Sequence, residues 1–284
     1  MFAVITIAAL LAAAPVNAVM QWSMHAGNEG TIAFETRYRV ANAWGHDADT
    51  SARSYPESDL EKTFAGLTHA QLFGAGTTVS FTIARQEGTL TCSGRAGHGV
   101  AGGTFTIVLD PNFATEMQRR GVNGVSPERQ MEWLFEDADL YAMLDYFKSQ
   151  GYPVPSVELL SRALDSGVSV RYARDLASAG MRALTVEQLV RAADSGVTLR
   201  YASALGSYGF ADLSLDQAIR MVDNGVTPRY LTALSQLGYH VTPDQAVELV
   251  DHGVTAAYIA RLQKAGYANL SVPDLIRLAD HGVH

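Results

Sequence analysis

An α+β fold is predicted: a small antiparallel β domain followed by an α-helical solenoid of helix-pair repeats of about 29 residues. Three observations predict it. Period-two strand patterns fill the first part of the chain, and a short unit recurs five times in the second. Ser/Thr caps and Gly stops then punctuate that second part at matching positions. The 284 residues divide into a leader over 1–18, the β domain over 19–110 and the helical repeats over 111–284. That length suits two domains of ordinary size.

The leader is read from a continuous apolar run, Phe2 to Ala14, then Pro15 and the small residues of Val16-Asn17-Ala18. This is the pattern of a secretory signal, and it is shorter than the roughly 20 residues a bilayer span needs. No Lys or Arg precedes the run, and a misplaced start codon or a buried N-terminal strand is the other reading. Export would place the protein in the periplasm or outside the cell, with no membrane span left after cleavage. Cys92 is the sole cysteine, so no disulfide forms within the chain, and in its strand pattern it reads as a buried thiol.

In the β domain, Ile32–Val40, Val79–Arg85, Thr89–Cys92 and Thr104–Leu109 alternate by twos and are rich in β-branched and aromatic residues. They predict a β-sandwich or curled sheet of five to seven strands. Ser58–Phe73 reads as a short helix or turn pair, and Gln86-Glu87-Gly88 as a hairpin connection. The stretch Gly94–Gly103 holds a formal dinucleotide fingerprint in Gly97-His98-Gly99-Val100-Ala101-Gly102. That chemistry needs a helix N-terminus after the glycines. A strand follows instead, so the stretch is expected to be a flexible hairpin loop.

The repeat is marked by Gly167-Val168, Gly196-Val197, Gly225-Val226, Gly253-Val254 and Gly282-Val283, at steps of 29, 29, 28 and 29 residues. Each unit reads as two helices of about ten residues. Thr198 caps a first helix and Gly209 ends it; Ser214 with Gln217 forms a capping box for the second, as do Thr185 with Gln188 and Thr242 with Gln245. Pro228 and Pro243 stand at first helical positions. Tyr172, Tyr201, Tyr230 and Tyr258 share one register, with Leu176, Leu205, Leu234 and Leu262 four residues on. Helices this short are marginal alone and gain stability by stacking on neighbouring units. Gly151, Ser156 and Asp165 continue the register backwards, and Gly121 with Ser126-Pro127-Glu128 suggests a degenerate unit from near Phe113. At the other end Ile276 and Leu278 lie in a unit without a polar closing copy, which leaves it open to self-association.

Chemistry-bearing motifs are scarce. Asp165, Asp194, Asp223, Asp251 and Asp280 form a ladder at second-helix ends, where the dipole opposes a carboxylate. The expected reason is structural: bonds from the next unit's first N–H groups, or pairing with Arg171, Arg200 and Arg229. An oxygen-rich calcium loop is missing. His252, His281 and His284 would need further ligands to converge on one ion, in a terminal or dimer-bridging zinc site, and Ser166, Ser195 and Asn224 stand where His252 does, as in a polar exposed turn. No His-Glu-x-x-His, Gly-x-Ser-x-Gly or phosphate-loop motif occurs. No catalytic residue, cofactor or metal is therefore assigned. The net charge of −8, spread thinly over both halves without a basic stripe, argues against nucleic acid and anionic membrane partners.

The wording of the repeats carries a resemblance. Asp251-His252-Gly253-Val254-Thr255-Ala256-Ala257-Tyr258-Ile259, followed by Gly266-Tyr267 and Leu270-Ser271, resembles the repeats of a family of exported bacterial proteins. Similar repeats form the C-terminal extracytoplasmic part of some membrane peptidases of the antibiotic-sensor type and of some anti-sigma factors. Val79-Ser80-Phe81, Gly88-Thr89 and the run Phe105 to Phe113 are similar to that family too. The resemblance implies export and carries no settled activity; without a zinc-peptidase motif or anchoring span, peptidase activity is not implied.

The function expected is a non-enzymatic, exported protein–protein interaction module in envelope sensing or signalling. Its binding surface is expected at Arg171, Arg200 and Arg229 and at the turns carrying Ser166, Ser195, Asn224 and His252. The alternatives are a small-ligand or glycan site on the β domain near Trp44, His46 and Asp47, with the solenoid as spacer, and an accessory or relic domain of a peptidase-linked regulatory system.

Overall fold

The computed structural model describes residues 20–39, 48–210 and 213–283; the leader, Trp44, His46, Asp47 and His284 lie outside these. Two compact units separate. One takes the described residues up to Phe113 together with Ser126–Asp137; the other takes Ala114–Val125 together with the described residues from Ala138 onward.

The first unit holds β1 (Gln21–Ala26), β2 (Thr31–Arg39) and β3 (Ala48–Pro56), then a 3₁₀ turn (Glu57–Asp59), α1 (Leu60–Thr63) and α2 (His69–Phe73). It continues with β4 (Thr77–Ala84), β5 (Gly88–Gly97) and β6 (Val100–Leu109). The six strands form one antiparallel sheet in the order β3-β2-β1-β6-β5-β4. The short helices fall inside the Ser58–Phe73 segment where a helix or turn pair was expected. A sandwich of two sheets is not what these strands build. The single sheet curls until its opposite edges meet: Arg85, one residue past β4, donates to the Tyr55 hydroxyl on β3 at 3.0 Å.

Alternation decides which face is buried. Trp22, Met24, Ile32, Phe34, Phe81 and Phe105 point inward against Phe64, Leu67 and Leu72 of the β3–β4 connection, and Cys92 lies among them. Burial pushes the Cys92 thiol up to about 12. The glycine-rich stretch differs from the expected loop. Only His98 and Gly99 turn, both at positive φ of 56° and 80°, while Gly94 and Gly103 pair across the ladder. The reason is steric: a Cβ on Gly103 would meet the Ser93 carbonyl oxygen at 2.0 Å. The glycines permit close backbone approach, with a two-residue turn closing the hairpin.

The helices that follow are α3 (Phe113–Arg119), α4 (Pro127–Leu134), α5 (Leu140–Ser149), α6 (Val157–Asp165) and α7 (Val170–Ser178). Next come α8 (Val186–Asp194), α9 (Leu199–Tyr208), α10 (Leu215–Asp223) and α11 (Pro228–Gln236), then α12 (Pro243–Asp251), α13 (Ala256–Lys264) and α14 (Val272–Asp280). The α+β class expected from the sequence is thus what the chain adopts. The region from Phe113, expected to be a degenerate repeat, is divided between the units. Helix α4 belongs with the sheet because buried Gln130 donates to the carbonyls of Glu87 at 2.6 Å and Asp110 at 2.8 Å. Phe135 also stacks on Tyr38 with ring centroids 4.2 Å apart.

Capping sets the helix limits as the sequence indicates. Thr185/Gln188, Ser214/Gln217 and Thr242/Gln245 all form reciprocal capping boxes. Thr198 accepts from the Tyr201 N–H, and Gly209 ends α9 at a φ of 111°. Helices meet every second neighbour: α6 with α8, α8 with α10, α10 with α12 and α12 with α14. In the same way α5 meets α7, α7 meets α9, α9 meets α11 and α11 meets α13. Leu176, Leu189, Leu205, Ala218, Leu234, Val247 and Leu262 are buried along those junctions, as their register predicts. Among the described residues no helix is long and apolar enough to cross a membrane.

Candidate functional site

The residues singled out in the sequence fall on one kind of element. Ser166, Ser195, Asn224 and His252 are the C-cap residues of α6, α8, α10 and α12. Arg171, Arg200 and Arg229 lie one turn further, at the starts of α7, α9 and α11. All seven therefore sit on or beside the turns that join α6 to α7, α8 to α9, α10 to α11 and α12 to α13. The three arginines are exposed, His252 is exposed, and the other caps are half-buried.

Neighbouring turns are tied by a bond that the apolar register did not reveal. Tyr172 donates its hydroxyl to the Val197 carbonyl at 2.8 Å, Tyr201 to Val226 at 2.8 Å and Tyr230 to Val254 at 2.6 Å. Each tyrosine reaches the Gly-Val turn of the following unit. Its ring packs in the helix junction while its hydroxyl satisfies a turn carbonyl. Burial pushes all three phenols up to about 12, with Asp194 adding to the effect on Tyr172 and Tyr208 to that on Tyr230. Tyr258, in the same register, keeps its hydroxyl buried without a partner among the described residues.

The aspartate ladder behaves otherwise than expected. Its members neither take the next helix's first N–H groups nor pair with the predicted arginines. Side chains of Ser169, Thr198, Thr227 and Thr255 each accept one of those N–H groups, from Tyr172, Tyr201, Tyr230 and Tyr258. Arg171 approaches Asp175 on its own helix at 3.8 Å. No ion pair joins Arg200 or Arg229 to the ladder among the described residues. The inter-unit ion pairs form instead between second helices: Arg191 with Asp216 at 2.8 Å and Arg220 with Asp244 at 3.0 Å. They place a cation in a last turn and an anion in a first turn, the sense that both helix dipoles favour. The signal for them was present as a basic and an acidic position some 24 to 25 residues apart. One ladder member does gain a partner, Asp280, which meets His252 Nδ1 at 2.8 Å.

The first unit carries a second polar cluster. Arg85 reaches the Leu134 carbonyl and Asp137 at 3.0 Å, and Arg53 reaches Glu136 at 2.6 Å and the Phe135 carbonyl at 3.4 Å. Tyr55 is pushed up to about 12, mainly by burial, with Arg85 acting the other way and Asp137 adding to the rise. Two cations and two carboxylates here balance each other, and the arrangement holds the Leu134–Asp137 segment against the curled sheet. Among the described residues, no group of three or more His, Cys, Asp or Glu side chains is placed to share a metal ion. No family model matches this chain, and neither a curated protein nor a solved structure matches it significantly.

Proposed function

We propose that the helical tract is a solenoid and that it acts, without chemistry of its own, as a protein- or peptide-binding module of an exported protein in envelope sensing. The observation that carries this reading is the repeated bond from a tyrosine to the next unit's Gly-Val carbonyl, at Tyr172, Tyr201 and Tyr230. A bond repeated at successive junctions keeps successive units in one register. The turns carrying Arg171, Arg200 and Arg229 then recur at the spacing of packed helices, about 8–10 Å. An extended segment with regularly placed carboxylates fits such a row, because exposed arginines recognise carboxylates in bidentate fashion. Export rests on the pattern of Met1–Ala18 and on the resemblance of the repeats to those of exported bacterial proteins.

The test reverses the row. Chemical cross-linking to envelope extract is compared for the whole protein and for a variant carrying Arg171→Glu, Arg200→Glu and Arg229→Glu. A partner captured by the first and lost by the second, with unchanged circular dichroism melts, supports the reading. Equal capture by both removes the turns from the interaction.

A further inference from the structure

The outward face of the sheet contains a hollow of about 460 Å³. Its lining includes Gln21, Ser23, Glu35, Arg37, Thr50 and Thr104. The pairing places them in rows. Thr104, Gln21, Arg37 and Thr50 are direct neighbours across β6, β1, β2 and β3, and Ser23 stands opposite Glu35 in the adjoining row. Each of these residues points away from the core that Trp22 and Phe34 fill.

Their common property is unused hydrogen-bonding capacity. None of the six side chains has a hydrogen bond or ion pair with another described residue. Glu35 and Arg37 lie two apart on one strand, roughly 6.7 Å between Cα atoms, and still form no ion pair. A carboxylate, a guanidinium fork, an amide and three hydroxyls thus face one space without a side-chain partner among the described residues.

We propose that this hollow binds a neutral saccharide. The lining carries one negative and one positive charge, so a net anion meets Glu35 and a net cation meets Arg37 unfavourably. An apolar ligand would leave all six groups desolvated and unpaired. A sugar hydroxyl both donates and accepts, so a diol satisfies the Glu35 carboxylate and the Arg37 fork in turn, and Gln21, Ser23, Thr50 and Thr104 serve the remaining hydroxyls. The volume is within the range of small-molecule sites, about 300–1,000 Å³. The site is independent of the helical turns and of the function proposed for them.

The experiment is a titration of isotope-labelled whole protein with cellotriose, maltotriose and chitotriose, followed by amide shifts. The Trp22 indole, which donates to the Thr104 carbonyl at 3.0 Å, is a second reporter. Saturable shifts at Ser23, Glu35, Arg37 and Thr104 are expected with at least one sugar. Arg37→Gln and Glu35→Gln, both outside the core, should each weaken binding about tenfold or more while the thermal melt is unchanged. The proposal fails if no sugar gives a saturable shift at about 10 mM, tenfold above a Kd of about 1 mM. It fails equally if glycine or another zwitterion, added as a control, shifts these residues and the sugars do not.

Discussion

Tyr201 donates its hydroxyl to the backbone carbonyl of Val226 at 2.8 Å, 25 residues further along the chain. One side chain thereby fills a helix junction with its ring and satisfies the next unit's turn with its oxygen. Removing the oxygen alone isolates the second role. Tyr201→Phe should lower stability by about 1 kcal/mol, the usual net worth of such a bond. Adding Tyr172→Phe should roughly double that loss, because the two bonds belong to different junctions. Urea unfolding of the single and double variants measures both; a double variant as stable as wild type would leave the bonds without energetic weight.

The same tyrosines predict a loss of stability in alkali. Tyr172, Tyr201 and Tyr230 rise from 10.0 to about 12 on folding. The folded state therefore holds these protons more tightly than the unfolded chain does. Their contribution is complete below about pH 10 and disappears as pH climbs towards 12. A phenolate has no proton to give the valine carbonyl. Thermal melts across that window should fall steeply for wild type and less steeply for the triple phenylalanine variant, in which Tyr55 still titrates.

Gln130 is the tie between α4 and the sheet, donating to the carbonyls of Glu87 and Asp110. Gln130→Met keeps the volume and removes both side-chain bonds, while each carbonyl still accepts a backbone N–H, from Asp110 and from Phe113. A loss of about 1–3 kcal/mol is expected, followed by tryptophan fluorescence during guanidinium unfolding. Faster hydrogen exchange along α4 should accompany it.

Two adjacent glycines should respond very differently to alanine. A Cβ at Gly103 meets the Ser93 oxygen at 2.0 Å, whereas one at Gly102 comes no nearer than 3.4 Å to the Trp22 oxygen. Gly103→Ala must push β5 and β6 apart and should cost upward of about 2 kcal/mol. Gly102→Ala should stay within about 1 kcal/mol. Comparable melts for the two variants would contradict the close strand approach.

Helix limits were legible because capping is local: Thr185 and Gln188 lie three residues apart, and their bonds need nothing from the rest of the chain. Strands with strong alternation, such as Thr31–Arg39 and Thr77–Ala84, were legible for the same reason. The strands Gln21–Ala26 and Ala48–Pro56 carry no clear signal, since small and polar residues blur their alternation. Gly94–Gly103 reads as loop in the sequence because glycine reports permissiveness, and here what it permits is contact between strands.

From the order of residues alone come the class of fold, the sequence repeat, the ends of the capped helices and the buried faces of the strongly periodic elements, because those follow from short-range sterics and periodicity. The acceptor of each tyrosine hydroxyl, the cations chosen by the acidic residues, the attachment of α4 to the sheet and the hollow beside Arg37 were settled only in three dimensions. Periodicity states that a side chain is covered. It cannot state which carbonyl, some 25 residues away, comes within 3 Å of its oxygen, because that distance is set by how whole elements pack.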